Sequence, residues 1–242
     1  LAAYLEEKLG KDIELIVTTD YSSMIEAMRF GRVDVAYFGP ASYTIAKAKM
    51  ADGDLDIEPF AARVTDGSTT YQSVLIANVE SGIDSIDDIE GSGIDVAFGD
   101  QASTSSAPKY TMMLEGVTEG DDYTQNFTGA HDAVARNVEL GNAAVGGLSR
   151  PIYESLLAKG SVDASKLIVI GYSADIPQYP WVMRTDMTEA LEDSIKDAFL
   201  TLEPGTDAGD AVLTPFKADG FAAITDADYD IIRDIRKNLQ AD

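Results

Sequence analysis

Along this chain the apolar positions switch repeatedly between helical spacing and short continuous runs. Leu1, Leu5 and Leu9 of the opening LAAYLEEKLG share a helical face, with Gly10 at the stop. Ile13 to Val17 reads as a buried strand, Met24 to Phe30 as a helix closed by Gly31, and Val33 to Tyr37 as another strand, which together predict a βαβ unit. The turn Phe38-Gly39-Pro40 leads into a helix over Ala41 to Met50, Pro40 standing where its missing N–H is harmless. An extended stretch from Tyr71 to Val79 opens a second set: a short helix at Ser85 to Ile89, a strand at Val96 to Gly99, a loop, and a helix to about Leu114. It continues with a helix at His131 to Leu140, a strand at Ala143 to Gly147, a helix at Arg150 to Lys159 and a strand at Leu167 to Gly171. Ile176-Pro177-Gln178-Tyr179-Pro180-Trp181 breaks this rhythm, and Thr188 to Thr201 and Asp226 to Leu239 read as helices. The pattern predicts an α/β protein of two lobes joined by two extended crossings, near 76–80 and 174–182. Lobe one takes 1–77 and 179–242, lobe two takes 78–178, and a hinged cleft is expected between them.

Composition narrows what such lobes can do. Eighteen Lys and Arg against 42 Asp and Glu leave a net charge of −24 in 242 residues. That charge repels phosphate backbones and anionic lipid, so nucleic acid is excluded as a bulk electrostatic partner and any anion must be caught by local donors. Dispersed acidic residues and few lysines also fit a hydrated surface working at high salt, hence a halophilic setting. The absence of cysteine removes disulfides, thiol catalysis and Cys-zinc sites. No apolar run of transmembrane length occurs, and the uncapped start leaves room for an export signal and a first strand before Leu1.

The chemistry-bearing stretch is Gly99-Asp100-Gln101-Ala102-Ser103-Thr104-Ser105-Ser106-Ala107-Pro108, between a strand and a helix. Consecutive hydroxyls at a helix start can donate O–H bonds while the free N–H groups of the first turn point the same way, making an anion cradle without net charge. Plain N-capping is the competing reading, although a cap needs one hydroxyl rather than three. His131, the sole histidine, follows Thr128-Gly129-Ala130 at another helix start, where the helix dipole disfavours the imidazolium and a neutral ring could offer one N–H. A packing or capping role is its alternative. One histidine and no EF-hand spacing give no metal site. Ser103 or Ser105 with His131 could be imagined as a hydrolase, but G-x-S-x-G is missing, and Gly146-Gly147 makes neither a dinucleotide fingerprint nor a phosphate loop. Among aromatic residues near the strand-to-helix turns, Tyr21 and Tyr71 are expected to face a ligand and Tyr37 to pack as strand.

Taken in order, TTDYSSMIEAMRFGRVDVAYFGP, TTYQSVLIA, GDQASTSSAP, TGAHDA and IPQYPW resemble the phosphate, phosphite and phosphonate substrate-binding proteins of ABC transporters, the PhnD-like family, over nearly the whole chain. The resemblance implies a type II periplasmic binding-protein fold that closes on its ligand and hands it to a membrane permease. It implies an extracytoplasmic monomer with no cofactor and no catalysis. It also puts the ligand's P–O oxygens against Ser103, Thr104 and Ser105, with Tyr21 donating from the first lobe and Tyr71 and His131 completing the shell. Where relatives that bind aminoalkylphosphonates hold an ammonium with carboxylates, this chain has Ser149-Arg150-Pro151 and Tyr179. The pocket mouth is therefore expected to be aromatic, through Tyr179 and Trp181, and the ligand compact: phosphite, methylphosphonate or phosphate. A receptor for another oxyanion on the same scaffold is the nearest alternative. The strand that usually precedes the opening helix in this family has no counterpart here, so the first lobe's sheet is expected to lack a member.

Overall fold

The runs read as strands at 33–37, 71–79, 96–99, 143–147 and 167–171 all fall on strands in the computed structural model, which describes residues 1–18, 20–51, 55–100 and 105–240. In chain order the elements are α1 (Ala2–Leu9), α2 (Tyr21–Arg29), β1 (Val35–Tyr37), α3 (Pro40–Met50) and β2 (Ile57–Val64). Then follow β3 (Thr70–Tyr71), β4 (Ser73–Asn78), β5 (Ile94–Phe98), α4 (Ser106–Leu114), β6 (Tyr123–Phe127), α5 (His131–Glu139), β7 (Val145–Ser149), α6 (Arg150–Ala158) and β8 (Leu167–Tyr172). The chain ends with β9 (Ile176–Pro177), β10 (Pro180–Arg184), α7 (Glu189–Leu200), α8 (Asp207–Phe216), β11 (Gly220–Ala223) and α9 (Asp230–Asn238).

Two α/β units result, Leu1–Thr70 with Pro177–Asp230, and Tyr71–Ile176 with Ile231–Asp242. The passages at 70/71 and 176/177 run through β3 and β9, which pair as a two-stranded ribbon. Expectation placed the boundaries at 77/78 and 178/179. The difference at the first arises because β4 pairs along its length with β7 and β8 and so belongs with them. A third passage, at 230/231, was not foreseen. Ile232 and Ile235 of α9 are buried and Asn238 Nδ2 donates to the Tyr110 hydroxyl at 3.4 Å, which ties the last helix to the second unit.

The first unit's sheet has the order β1-β10-β2-β11 with antiparallel pairing throughout. Phe60, Trp181, Phe199 and Phe221 meet on it under α7 and α8, with Phe199 centred 4.8 Å from Trp181 and 5.3 Å from Phe60. Burying each such ring stabilises by about 1.5–3 kcal/mol. The strand expected at Ile13–Val17 does not form: 13–17 is irregular, and Leu15 and Val17 are 66% and 83% exposed. The βαβ reading of this stretch falls with it. An apolar, β-branched run becomes a strand only through a ladder partner, and among the described residues β1 pairs with β10 alone. Strands β2 and β10 escaped the sequence reading because Pro59, Arg63 and Pro180 interrupt their apolar pattern. Pro180 is tolerated because it opens its strand, where its carbonyl still accepts from the Phe38 N–H at 3.0 Å.

The second unit's sheet has the order β6-β5-β7-β4-β8; β5 runs parallel to β6 and β7, while β4 is antiparallel to β7 and β8. The carboxyl ends of β5, β6, β7 and β8 and the start of β4 therefore share one edge, and α4, α5 and α6 begin there. Gly146 and Gly147 set how closely the helices approach. A Cβ on Gly146 would come within 2.6 Å of Val134 on α5, and one on Gly147 within 2.6 Å of Pro108 on α4. Successive residues of a strand face opposite ways, so α4 and α5 cover opposite faces. Two apolar clusters follow, one around Val74, Ile76, Val134 and Val138, the other around Leu75, Phe98 and Met112.

Candidate functional site

The carboxyl edge of this second sheet gathers three of the residues singled out from the sequence. Ser103 and Thr104 lie outside the described residues. Ser105 is 2% exposed and directly precedes α4, its hydroxyl donating to the Asp100 carbonyl at 3.1 Å. Tyr71 is buried on the crossing strand that leads to β4. His131 opens α5 and is 5% exposed. Its position is fixed by the turn before it. The Thr128 and Gly129 N–H groups donate to the carbonyls of Phe98 and Gly99, each at 2.8 Å, and Gly129 takes a φ of +89° that glycine adopts without strain. The start of α5 is thereby laced to the end of β5, where the approach to α4 begins.

The electrostatics of His131 follow from its surroundings. Burial pushes its pKa down to about 4, with Asp132 pulling weakly the other way, so the ring is uncharged at neutral pH. The Ser149 N–H donates to Nδ1 at 3.4 Å, which makes Nδ1 the acceptor and leaves the ring's proton on Nε2. Nε2 is buried and has no hydrogen-bond partner among the described residues. The same holds for the hydroxyls of Ser73 and Ser106, residues that the sequence reading did not place in the site. Ser106 was visible as the last hydroxyl of its run. Ser73 was not, because nothing local distinguishes it from any other strand serine.

Such an edge can hold an anion with neutral donors: a ring N–H, hydroxyls, and the first-turn N–H groups at the starts of α4 and α5, whereas at α6 the Arg150 N–H is taken by the Gln72 carbonyl at 3.0 Å and Pro151 has none. At least two cations stand beside it: Lys109 of α4 lies 4.9 Å and 4.7 Å from the ring centres of Phe98 and Phe127, which end β5 and β6, and Arg150 is the other. Arg150, first residue of α6, donates to Gln72 Oε1 and Glu154 Oε1, each at 2.7 Å, and lies 4.9 Å from the centre of the Tyr172 ring. The Ser105 hydroxyl turns to the Asp100 carbonyl and His131 Nδ1 to the Ser149 N–H, so the two side chains are not joined as nucleophile and base among the described hydrogen bonds. Among the described residues no group of three or more His, Asp or Glu side chains could hold a metal ion.

Tyr21 and Tyr179 belong to the first unit. Tyr21 begins α2, whose cap is Asp20 accepting the Ser23 N–H at 2.7 Å. Both rings flank Gly39, where a Cβ would stand 3.4 Å from Tyr21 and 3.5 Å from Tyr179. Tyr179 also packs on Tyr37, with centroids 5.7 Å apart. Tyr37 packs within the sheet, and burial pushes its pKa up to about 12. Trp181 was expected at a pocket mouth; it is instead a core residue, 7% exposed, because β10 is an inner strand and its indole turns toward Phe199. Gln178 fixes the end of the return passage. It is 1% exposed, its N–H donates to the Thr69 carbonyl at 2.8 Å, and its side-chain oxygen accepts from Arg63 at 2.9 Å.

Comparison with known proteins completes the picture. The sequence model of a family described as ABC transporter, phosphonate, periplasmic substrate-binding protein matches residues 1–229. The phosphonates-binding periplasmic protein of Escherichia coli K12 is 30% identical over 200 residues, covering 81% of this chain and 58% of that protein. The phosphate-import protein PhnD of Mycolicibacterium smegmatis is 28% identical over 256 residues, covering 97% of this chain and 78% of that protein. This chain thus spans little more than half the length of the first of these relatives. The structure of PhnD1 from Prochlorococcus marinus, solved in complex with methylphosphonate, superposes with a TM-score of 0.87 at 22% identity, covering 99% of this chain and 90% of that one. The fold is that of the two-lobed periplasmic binding proteins.

Proposed function

The chain belongs to the family of periplasmic substrate-binding proteins of phosphonate ABC transporters, and from that premise we propose that it captures a small phosphorus oxyanion, phosphite, methylphosphonate or phosphate, outside the cytoplasmic membrane and presents it, as a monomer, to an importer's permease without transforming it. The observation that supports this reading is the uncharged His131 at the sheet edge where Ser105 and Tyr71 also lie, its Nε2 buried and without a hydrogen-bond partner among the described residues. A buried oxyanion held by such a donor set needs no buried positive charge, and each charge-assisted bond is worth about 1.5–3 kcal/mol. Ser103 and Thr104 extend the cradle in this proposal, and Tyr21 and Tyr179 are the first unit's contributions.

The compactness of the ligand is argued from the tail it would carry. An ammonium needs a free carboxylate; at the start of α6 it would meet Arg150, which already holds the nearby Glu154 carboxylate at 2.7 Å. Aminoethylphosphonate is accordingly expected to bind far more weakly than methylphosphonate, and equal affinity would contradict the point. Thermal melting with phosphite, methylphosphonate, phosphate and sulfate tests the proposal as a whole. A ligand at 100 times its dissociation constant stabilises the folded state by about 2.7 kcal/mol. At least one of the first three should raise the melting temperature; no shift with any of them would refute the proposed ligand class.

A further inference from the structure

Ser73 falls within the segment TTYQSVLIA but is not among the candidate site residues, yet its surroundings are those of a ligand contact. It is 1% exposed, and its hydroxyl has no partner among the described residues. Its backbone is fully engaged: the N–H donates to the Ser173 hydroxyl at 2.8 Å and the carbonyl accepts the Ser173 N–H at 3.0 Å. Across the sheet it stands opposite Ser149, the residue whose N–H orients His131. The face it presents follows from period two. Gly147 faces Pro108 of α4, so Ser149, two residues on, faces the same way, and its cross-strand partner Ser73 does too. Leu75, two residues beyond Ser73, confirms the side by packing in the cluster that contains Met112 of α4. Ser73 therefore looks toward the start of α4, where Ser105 and the unpartnered Ser106 hydroxyl lie, at the end of the sheet nearest to His131.

We infer that Ser73 is a further ligand-contacting residue, its hydroxyl exchanging a hydrogen bond with an oxygen of the bound phosphorus oxyanion. This rests on the function proposed above. An enclosed hydroxyl without a partner weakens the fold relative to alanine, and it becomes advantageous only when a ligand supplies the missing bond. Unlike the backbone N–H groups and the neutral His131 Nε2–H, which only donate, a serine hydroxyl can also accept, and so can meet a protonated P–OH. That gives the site a means of preferring hydrogenphosphonate-type ions to sulfate, which carries no proton at neutral pH.

The test compares wild type, Ser73→Ala and Ser73→Cys in the unliganded melting temperature and in calorimetric titration with methylphosphonate, phosphite and phosphate. Ser73→Ala should melt about 2–4 °C higher without ligand and bind roughly tenfold more weakly. Ser73→Cys keeps the volume with a poor donor, and should also lose affinity. Wild-type affinity in both variants overturns the inference, as does a lower melting temperature with affinity unchanged, which would make the hydroxyl structural. If the wild type binds none of the three anions, the proposed function itself fails, and this contact with it.

Discussion

In the first unit the interior-reaching polar side chains are bonded to the chain itself: Tyr4 Oη to the Ala198 carbonyl at 2.6 Å, Tyr229 Oη to the Gln178 carbonyl at 2.9 Å, and Arg63 to the Phe216 carbonyl at 3.0 Å. In the second unit, Ser73, Ser106 and His131 bury polar atoms that bond to nothing described, and all three sit at one edge of one sheet. Among its described residues the first unit has two unpartnered buried side-chain atoms of its own, but of another kind. Trp181 Nε1 lies within a cluster of rings, and Arg63 Nε belongs to a guanidinium whose other nitrogens are both bonded. Sheet topology explains the contrast. Parallel strands end together and each delivers a helix N-terminus to the same edge, whereas an antiparallel sheet spreads its turns over both ends. Satisfied polar groups secure a fold, and the polar atoms of the second unit that lack a partner among the described residues are the ones the proposed ligand would answer.

The contrast can be broken most forcefully through His131. Its folded pKa of about 4 lies below the unfolded value of 6.5, so protonation favours the unfolded chain. Stability should be complete above pH 6.5 and fall as pH drops toward 4, by up to about 3 kcal/mol at 1.36 kcal/mol per unit. Denaturant titrations across this window should show a steep wild-type dependence that His131→Gln flattens; parallel curves would contradict the burial argument. Next in size is Gly147→Ala, which drives a methyl into Pro108 and should cost about 1–3 kcal/mol by overpacking. Its counterpart in the first unit, Gly39→Ala, meets only ordinary contacts at 3.4 Å and should cost under about 1 kcal/mol, mostly as a poorer helix cap. Equal losses in the two variants would mean that the close approach of α4 to the sheet is not what Gly147 secures. The smallest effect concerns both units alike. With a net charge of −24, added salt should raise the melting temperature by screening self-repulsion, and indifference to salt would remove the halophilic reading.

Much of this arrangement was legible in the residues. Pro40 and the Gly31 stop framed two helices, and the hydroxyl run at 103–106 and the Thr-Gly-Ala before His131 marked helix starts. What was lost depended on distant partners. Ile13–Val17 carries the composition of a strand without a ladder to join. Strand β10 was hidden by Pro177 and Pro180, although only the first strand position had to accommodate proline. Gly146-Gly147 carries no recognisable motif in the sequence, and its role as the notch for two helices emerges only with Pro108 and Val134 packed against it. Ser73 was illegible for the same reason, since an unanswered hydroxyl is a property of packing.

Because the chain contains a single histidine, its imidazole nitrogens can be followed by ¹⁵N NMR without ambiguity. At pH 7 the ring should be neutral, with Nδ1 unprotonated and the proton on Nε2. Saturating methylphosphonate should shift the Nε2–H resonance and slow its exchange with water while the ring stays neutral. A charged ring, the opposite tautomer, or a resonance untouched by methylphosphonate, phosphite and phosphate alike would contradict an anion site built from uncharged donors at this edge.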